Sequence, residues 1–148
     1  MHILLVLNFF LMLLSPGQLP SSVKTDSMET LILQFVNEDR TAHGLSPLEM
    51  NSVETALAAS HSIDMACGRV PFGHDGFMDR AKAIQDALKA VEIGENVAAG
   101  SMTAREVVNG WLNSPHHKKN IEGNYKLTGI ALATDKNGDT YFTQIFSR

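Results

Sequence analysis

Leu127-Thr128-Gly129-Ile130-Ala131-Leu132-Ala133-Thr134, then Asn137-Gly138, then Thr140-Tyr141-Phe142-Thr143-Gln144-Ile145-Phe146 is the stretch that decides the fold class. Two runs rich in β-branched and aromatic residues flank an Asn-Gly pair, which is a strong short-range hairpin signal. Upstream, the pattern is mainly helical, with one more extended segment at 91–99. Helices first and a terminal hairpin last imply an α+β domain, with helices packed on a small, mostly antiparallel sheet.

Working back from the hairpin, Thr103 and Glu106 form a capping box. The helix they open carries Val107, Val108, Trp111 and Leu112 and ends at Ser114-Pro115. Trp111, at helical spacing from Val107 and Val108, reads as core. A shorter helix over about 78–89 carries Ala81, Ile84 and Leu88. Residues 68–77 hold three glycines and a proline and read as a loop. Asn51 and Glu54 resemble a second capping box, opening a helix that runs to about Cys67. Its faces read as Ala56, Ala59, Ile63 and Cys67 on one side, and Val53, Leu57, His61 and Asp64 on a neighbouring one. The first helix starts at a Ser27 cap and runs to about His43. Met28, Leu31, Ile32, Phe35 and Val36 form one apolar stripe on it, and Gly44 and Pro47 end it.

The chain has 148 residues, 44% apolar and 19% charged, with net charge −4. Those values fit one globular domain and argue against a nucleic-acid partner, which would call for a basic face. No lysine or arginine run suggests binding to a membrane surface. Residues 3–14 form an apolar run, too short for a spanning helix of about 20 residues. It fits a secretory signal. The expected organisation is a signal peptide over 1–20, a linker over 21–27 and the domain over 28–148. The mature chain would carry no transmembrane segment and be extracellular or periplasmic. An uncleaved anchor is the alternative. Cys67 is the only cysteine and is expected as a small buried hydrophobe. A reactive thiol or an intermolecular disulfide is the other reading.

The common catalytic motifs are missing: no Gly-x-Ser-x-Gly, no His-Glu-x-x-His, no phosphate loop, no dinucleotide fingerprint. What remains is Gly73-His74-Asp75-Gly76, then Ile93-Gly94-Glu95-Asn96-Val97, then His116-His117. His74, Glu95 and His117 could line one cleft and hold a proton, a metal or a polar ligand. The competing readings are a loop histidine capping backbone and a solvated or backbone-bonded carboxylate. Asn96 reads as bracing a turn. The side chains of His116 and His117 diverge, so at most one faces a cleft. His61, mid-helix beside Leu57, reads as a satisfied, partly buried histidine.

Taken in order, these segments resemble the CAP/SCP superfamily of cysteine-rich secretory proteins, antigen-5-type allergens and pathogenesis-related proteins, in its compact prokaryotic-type branch. The resemblance rests on His74 with its glycines, Gly94-Glu95-Asn96-Val97, Trp111-Leu112-Asn113-Ser114-Pro115-x-His117 and Tyr141-Phe142-Thr143-Gln144. Asn37-Glu38-Asp39-Arg40, Gly44-Leu45-Ser46-Pro47-Leu48 and His61-Ser62-Ile63-Asp64-Met65-Ala66 add to it. It covers about residues 29–147. It implies a three-layer α/β/α sandwich with a central cleft. In the animal and plant branches, two histidines and two glutamates in that cleft can bind an ion such as zinc. His74 and Glu95 match one of each. The second glutamate falls on Ser114 and the second histidine on Tyr141, while His117 is typical of the prokaryotic branch. The implied cleft residues are therefore His74, Glu95, His117, Ser114 and Tyr141. A weakly held divalent metal on His74, Glu95 and His117 is the only cofactor implied. The favoured role is a secreted binding module for a small, lipid-like or cell-envelope ligand. The alternative is a metal-assisted or His/Glu-dependent hydrolase.

Overall fold

The terminal hairpin forms as its sequence reads. In the computed structural model, which describes residues 26–148, β3 (Leu127–Thr134) and β4 (Thr140–Ser147) pair antiparallel from Leu127↔Ser147 to Thr134↔Thr140. The Asp135 carboxylate accepts the Asn137 and Asp139 N–H groups in the turn. β2 (Ile93–Ala99) pairs antiparallel with the other side of β4, setting Glu95 opposite Ile145. A two-residue strand, β1 (Glu49–Met50), adds parallel to β3. The sheet order is β1-β3-β4-β2, so β2 is an edge. β1 is too short to leave a periodic signal. The apolar run over 3–14, the segment over 1–20 and residues 21–25 of the linker lie outside the described residues.

Helices cover both faces of the sheet. α2 (Ser52–Ala66) lies on β3 and β4, and α3 (Phe77–Leu88) packs beside it. Ala58, Ile84, Ala90, Ala131 and Ile145 form the core on that side. On the other face lie α1 (Met28–Ala42), α4 (Ala104–Leu112) and α5 (Pro115–Ile121). Ile32, Val36, Val107, Trp111, Ile121, Phe142 and Phe146 are among the residues of that larger core. Trp111 is buried and its Nε1–H donates to the Val97 carbonyl at 3.0 Å. The fold is thus the expected α+β three-layer sandwich with a mixed, mostly antiparallel sheet.

Local signals explain most of the helix ends. Ser27 caps α1, and Thr103 with Glu106 closes a full capping box on α4. Asn51 caps α2 through Val53 and Glu54 N–H groups, but Glu54 does not reach back. Its side chain is buried instead. That is because the buried face of α2 carries Glu54, Ala58, His61, Ser62 and Met65, not either face read from the sequence. Ile63 and Cys67 are exposed, so Cys67 is not a buried hydrophobe. The polar residues on the true face conceal its apolar members, and the small apolar residues elsewhere mimic a core stripe.

α2 sits tight on the sheet because β3 offers Gly129 beneath it. A Cβ there would overlap the Glu54 carbonyl carbon and the Thr55 nitrogen. α5 was not expected, since Ser114-Pro115 reads as a stop. Pro115 ends α4 and, as the first residue of the next helix, starts α5. Arg40, buried at the end of α1, donates to the carbonyl oxygens of Ile121, Gly123 and Tyr125 and so fixes the exit of α5.

Candidate functional site

Glu95 points from edge strand β2 towards the α2–α3 side, with its side chain 1% exposed. A lone carboxylate there would be costly. Arg80 of α3 supplies the counter-charge in a two-pronged grip: Nε donates to Oε2 at 2.8 Å and Nη2 to Oε1 at 2.8 Å. His74 Nδ1 lies 2.9 Å from Oε1, and His61 Nε2 lies 4.0 Å from the same oxygen. Burial works to raise the Glu95 pKa. The His74 hydrogen bond, the Arg80 hydrogen bonds and charge, and the His61 charge together outweigh it and hold the carboxyl below its usual value.

The same residues fix the loop. His61 Nε2–H donates to the Gly73 carbonyl at 2.8 Å, and Arg80 Nη1 donates to the Asp75 carbonyl at 2.8 Å. Since ionised Glu95 only accepts, His74 donates through Nδ1 and leaves Nε2 free. The His74 side chain is 49% exposed, so that nitrogen is open to a ligand. His61 is satisfied as its sequence context suggests, but it is fully and not partly buried.

A hollow of about 290 Å³ opens beside this pair, lined by His74, Phe77, Ile93, Gly94, Glu95 and Asn120. Gly94 lets α5 approach: a Cβ there would lie 2.8 Å from the Tyr125 hydroxyl oxygen and 3.0 Å from Asn120 Oδ1. Asn120 Nδ2 donates to the Glu95 carbonyl at 3.1 Å and to Asn96 Oδ1 at 2.8 Å. Asn96 in turn donates to the His117 carbonyl at 3.1 Å. Asn96 is therefore a buried brace between β2 and α5, not a turn residue.

Of the residues the sequence singled out, His74 and Glu95 meet directly. His117, half-buried on α5, is not in the lining, but burial and then the His74 and His116 charges push its pKa down. Ser114 is the N-cap position of α5 and makes no side-chain cap bond. Tyr141 on β4 packs against Phe72, with ring centroids 6.4 Å apart. Neither lines the hollow. Arg80 and Asn120 were missed. Arg80 could have been found, because it stands four residues before Ile84, on the inward side of an amphipathic helix. Asn120 belongs to α5, which had no sequence signal beyond Pro115.

The donor set does not fit a zinc ion on His74, Glu95 and His117. Both Glu95 oxygens already accept from a guanidinium, whose charge would face the ion, and His74 Nδ1 is committed to Glu95. Among the described residues, no serine, threonine or cysteine lines the hollow to act as a nucleophile.

Comparison with known proteins agrees with this architecture. The profile of the cysteine-rich secretory protein family matches residues 33–146. The chain is 31% identical over 134 residues to the uncharacterized protein YkwD of Bacillus subtilis, covering 87% of this chain and 50% of that one. It therefore spans half the length of that relative. An outer surface protein of Borrelia burgdorferi superimposes with a TM-score of 0.70 at 22% identity, covering 80% of this chain and 90% of that one. An extracellular SCP-domain protein of Bacillus anthracis gives a TM-score of 0.67 at 26% identity, over 90% of this chain and 45% of that one.

Proposed function

The chain belongs to the cysteine-rich secretory protein family, and from that premise we propose that it is a secreted binding domain whose hollow takes a small polar or amphipathic ligand, such as a lipid headgroup or a cell-envelope fragment. The observation that carries this reading is the neutralised Glu95. Its charge is already balanced by Arg80, and its Oε1 accepts from His74, so the carboxylate acts as a rigid support that orients His74. His74 Nε2 offers a polar contact to a ligand, and Phe77 and Ile93 add apolar wall. Secretion is supported by the apolar run over 3–14 and by two structural neighbours whose names describe an outer surface and an extracellular protein. Among the described residues no helix is long and apolar enough to cross a membrane.

The test is a nitrogen-15 NMR titration with a soluble muropeptide and, separately, a short-chain phosphatidylcholine below its micelle concentration. Shifts should map to His74, Phe77, Ile93 and Asn120 and vanish in His74→Ala. Absence of shifts there with both probes would overturn the reading. A second reading is hydrolysis, favoured by the 2.9 Å His74–Glu95 pair, which has the geometry of an oriented general base acting through water. Turnover of peptide or ester substrates that disappears in His74→Ala would establish it.

A further inference from the structure

α1 and α5 end side by side, and their ends carry a cluster that the hollow does not use. Asp39 and His43 lie one turn apart at the close of α1, and Glu122 is the C-cap of α5. One potential ligand atom from each lies within 4.8 Å of the other two. His43 Nδ1 is 2.8 Å from the Asp39 carbonyl oxygen, which can only accept, so Nδ1 carries the proton. The lone pair of Nε2 then faces Glu122 Oε1 across 3.6 Å. Asp39 Oδ2 stands 3.6 Å from the ring at Nδ1. Asp39 Oδ2 and Glu122 Oε1 are both shut off from solvent, and neither accepts a hydrogen bond. Shielded acceptors without a well-formed hydrogen bond are costly, and these two flank the His43 ring, Glu122 on its Nε2 side and Asp39 on its Nδ1 side. The last carbonyls of α1 add negative potential.

Two cations lie nearby. Arg40 turns its guanidinium to the carbonyls of Ser46, Ile121, Gly123 and Tyr125. Lys118 Nζ is 3.5 Å from Glu122 Oε1, on a side chain 45% exposed. An exposed pairing of that kind is weak and easily displaced.

We propose that Asp39, His43 and Glu122 bind a borderline divalent cation of the zinc type, which clasps the end of α1 to the end of α5. One imidazole nitrogen, two carboxylate oxygens and a water make a four-coordinate zinc shell. Bonds of about 2.0–2.1 Å set tetrahedral donors roughly 3.3 Å apart. The 3.6 Å between His43 Nε2 and Glu122 Oε1 needs only small side-chain movement to reach that spacing, whereas Asp39 Oδ2, 3.6 Å from Nδ1, must swing towards the Nε2 side of the ring to join the shell. The site is separate from the hollow, but α5 carries Asn120 into the hollow and so links the two.

Zinc chloride titrated into the full chain, followed by calorimetry and thermal denaturation, tests this. One ion should bind per chain and raise the melting temperature. His43→Ala and Glu122→Gln should each weaken binding by about tenfold or more. His74→Ala should leave it unchanged, and Lys118→Met, which removes the competing ammonium, should tighten it. Absence of zinc binding at millimolar metal overturns the proposal. So does binding that survives His43→Ala, or binding that falls with His74→Ala. Should His43→Ala fail to fold, Lys118→Met decides: unchanged or weaker binding there is also fatal.

Discussion

Without the Arg80 guanidinium, the Glu95 carboxylate would keep only His74 as a hydrogen-bond donor, at a side-chain exposure of 1%. Breaking a buried pair from one side leaves an uncompensated charge and typically costs 3–5 kcal/mol. Arg80→Met should therefore lower stability to urea by about 3 kcal/mol. Adding Glu95→Gln removes the stranded charge, so the double variant should be more stable than Arg80→Met alone. A double variant at least as unstable as the single one would mean that the pair does not act as a charge-neutralising unit. At this scale the sequence showed His74 and Glu95, because a polar residue set on glycines stands out. Arg80 was passed over because a lone arginine in a helix usually marks a solvated face, although its spacing from Ile84 puts it on the inward side. Cys67 failed in the opposite sense. A cysteine one turn beyond Ile63 looks like core, but at that end of α2 both Ile63 and Cys67 face solvent.

α2 and β3 meet through Gly129, and α4 carries a glycine with no such duty. A Cβ on Gly129 would overlap the Glu54 and Thr55 backbone, which cannot rotate away. Gly129→Ala must push α2 off the sheet and should destabilise by about 3 kcal/mol, the upper end for overpacking. Gly110, inside α4, has nothing within 4 Å of its would-be Cβ. Gly110→Ala should stabilise by roughly 0.5–1 kcal/mol through helix propensity alone. Thermal denaturation of the two variants reads the difference directly, and equal shifts would refute the close-packing account. The elements themselves were legible where caps and periodicity agreed, as in α1, α4 and the β3–β4 hairpin. β1 and α5 were not. Two paired residues have no period, and Pro115 signals an ending as strongly as a beginning. Asn120 was lost with α5, and with it one wall of the hollow.

For the molecule as a whole, two buried carboxyls and one half-buried histidine shape how stability varies with pH, and they pull in opposite directions. Glu54 is fully buried, and burial pushes its carboxyl up to about 7. The Ser147 hydroxyl offsets only part of this, making no well-formed hydrogen bond to it. A raised carboxyl contributes stability that is complete below the unfolded pKa and is lost as pH rises through the folded value. For Glu54 that loss runs from about 4.5 to about 7 and amounts to roughly 3 kcal/mol. Glu95 is held below its usual value, so its contribution is present above the ordinary carboxylate range and is lost as pH falls through the depressed value. His117, kept neutral first by burial, adds stability above the usual histidine pKa and loses it on acidification. The fold should therefore be most stable between these limits and weaken on either side. Glu54→Gln removes the alkaline limb. It should gain roughly 3 kcal/mol at about pH 8 relative to its own effect at about pH 4, moving the optimum upward. The comparison between the two pH values matters more than either one, because glutamine brings an amide that must also find partners inside α2. Urea denaturation across that range measures it. An identical Glu54→Gln effect at both ends would show that Glu54 keeps an ordinary pKa, and would leave Glu95 and His117 as the groups that shape the profile.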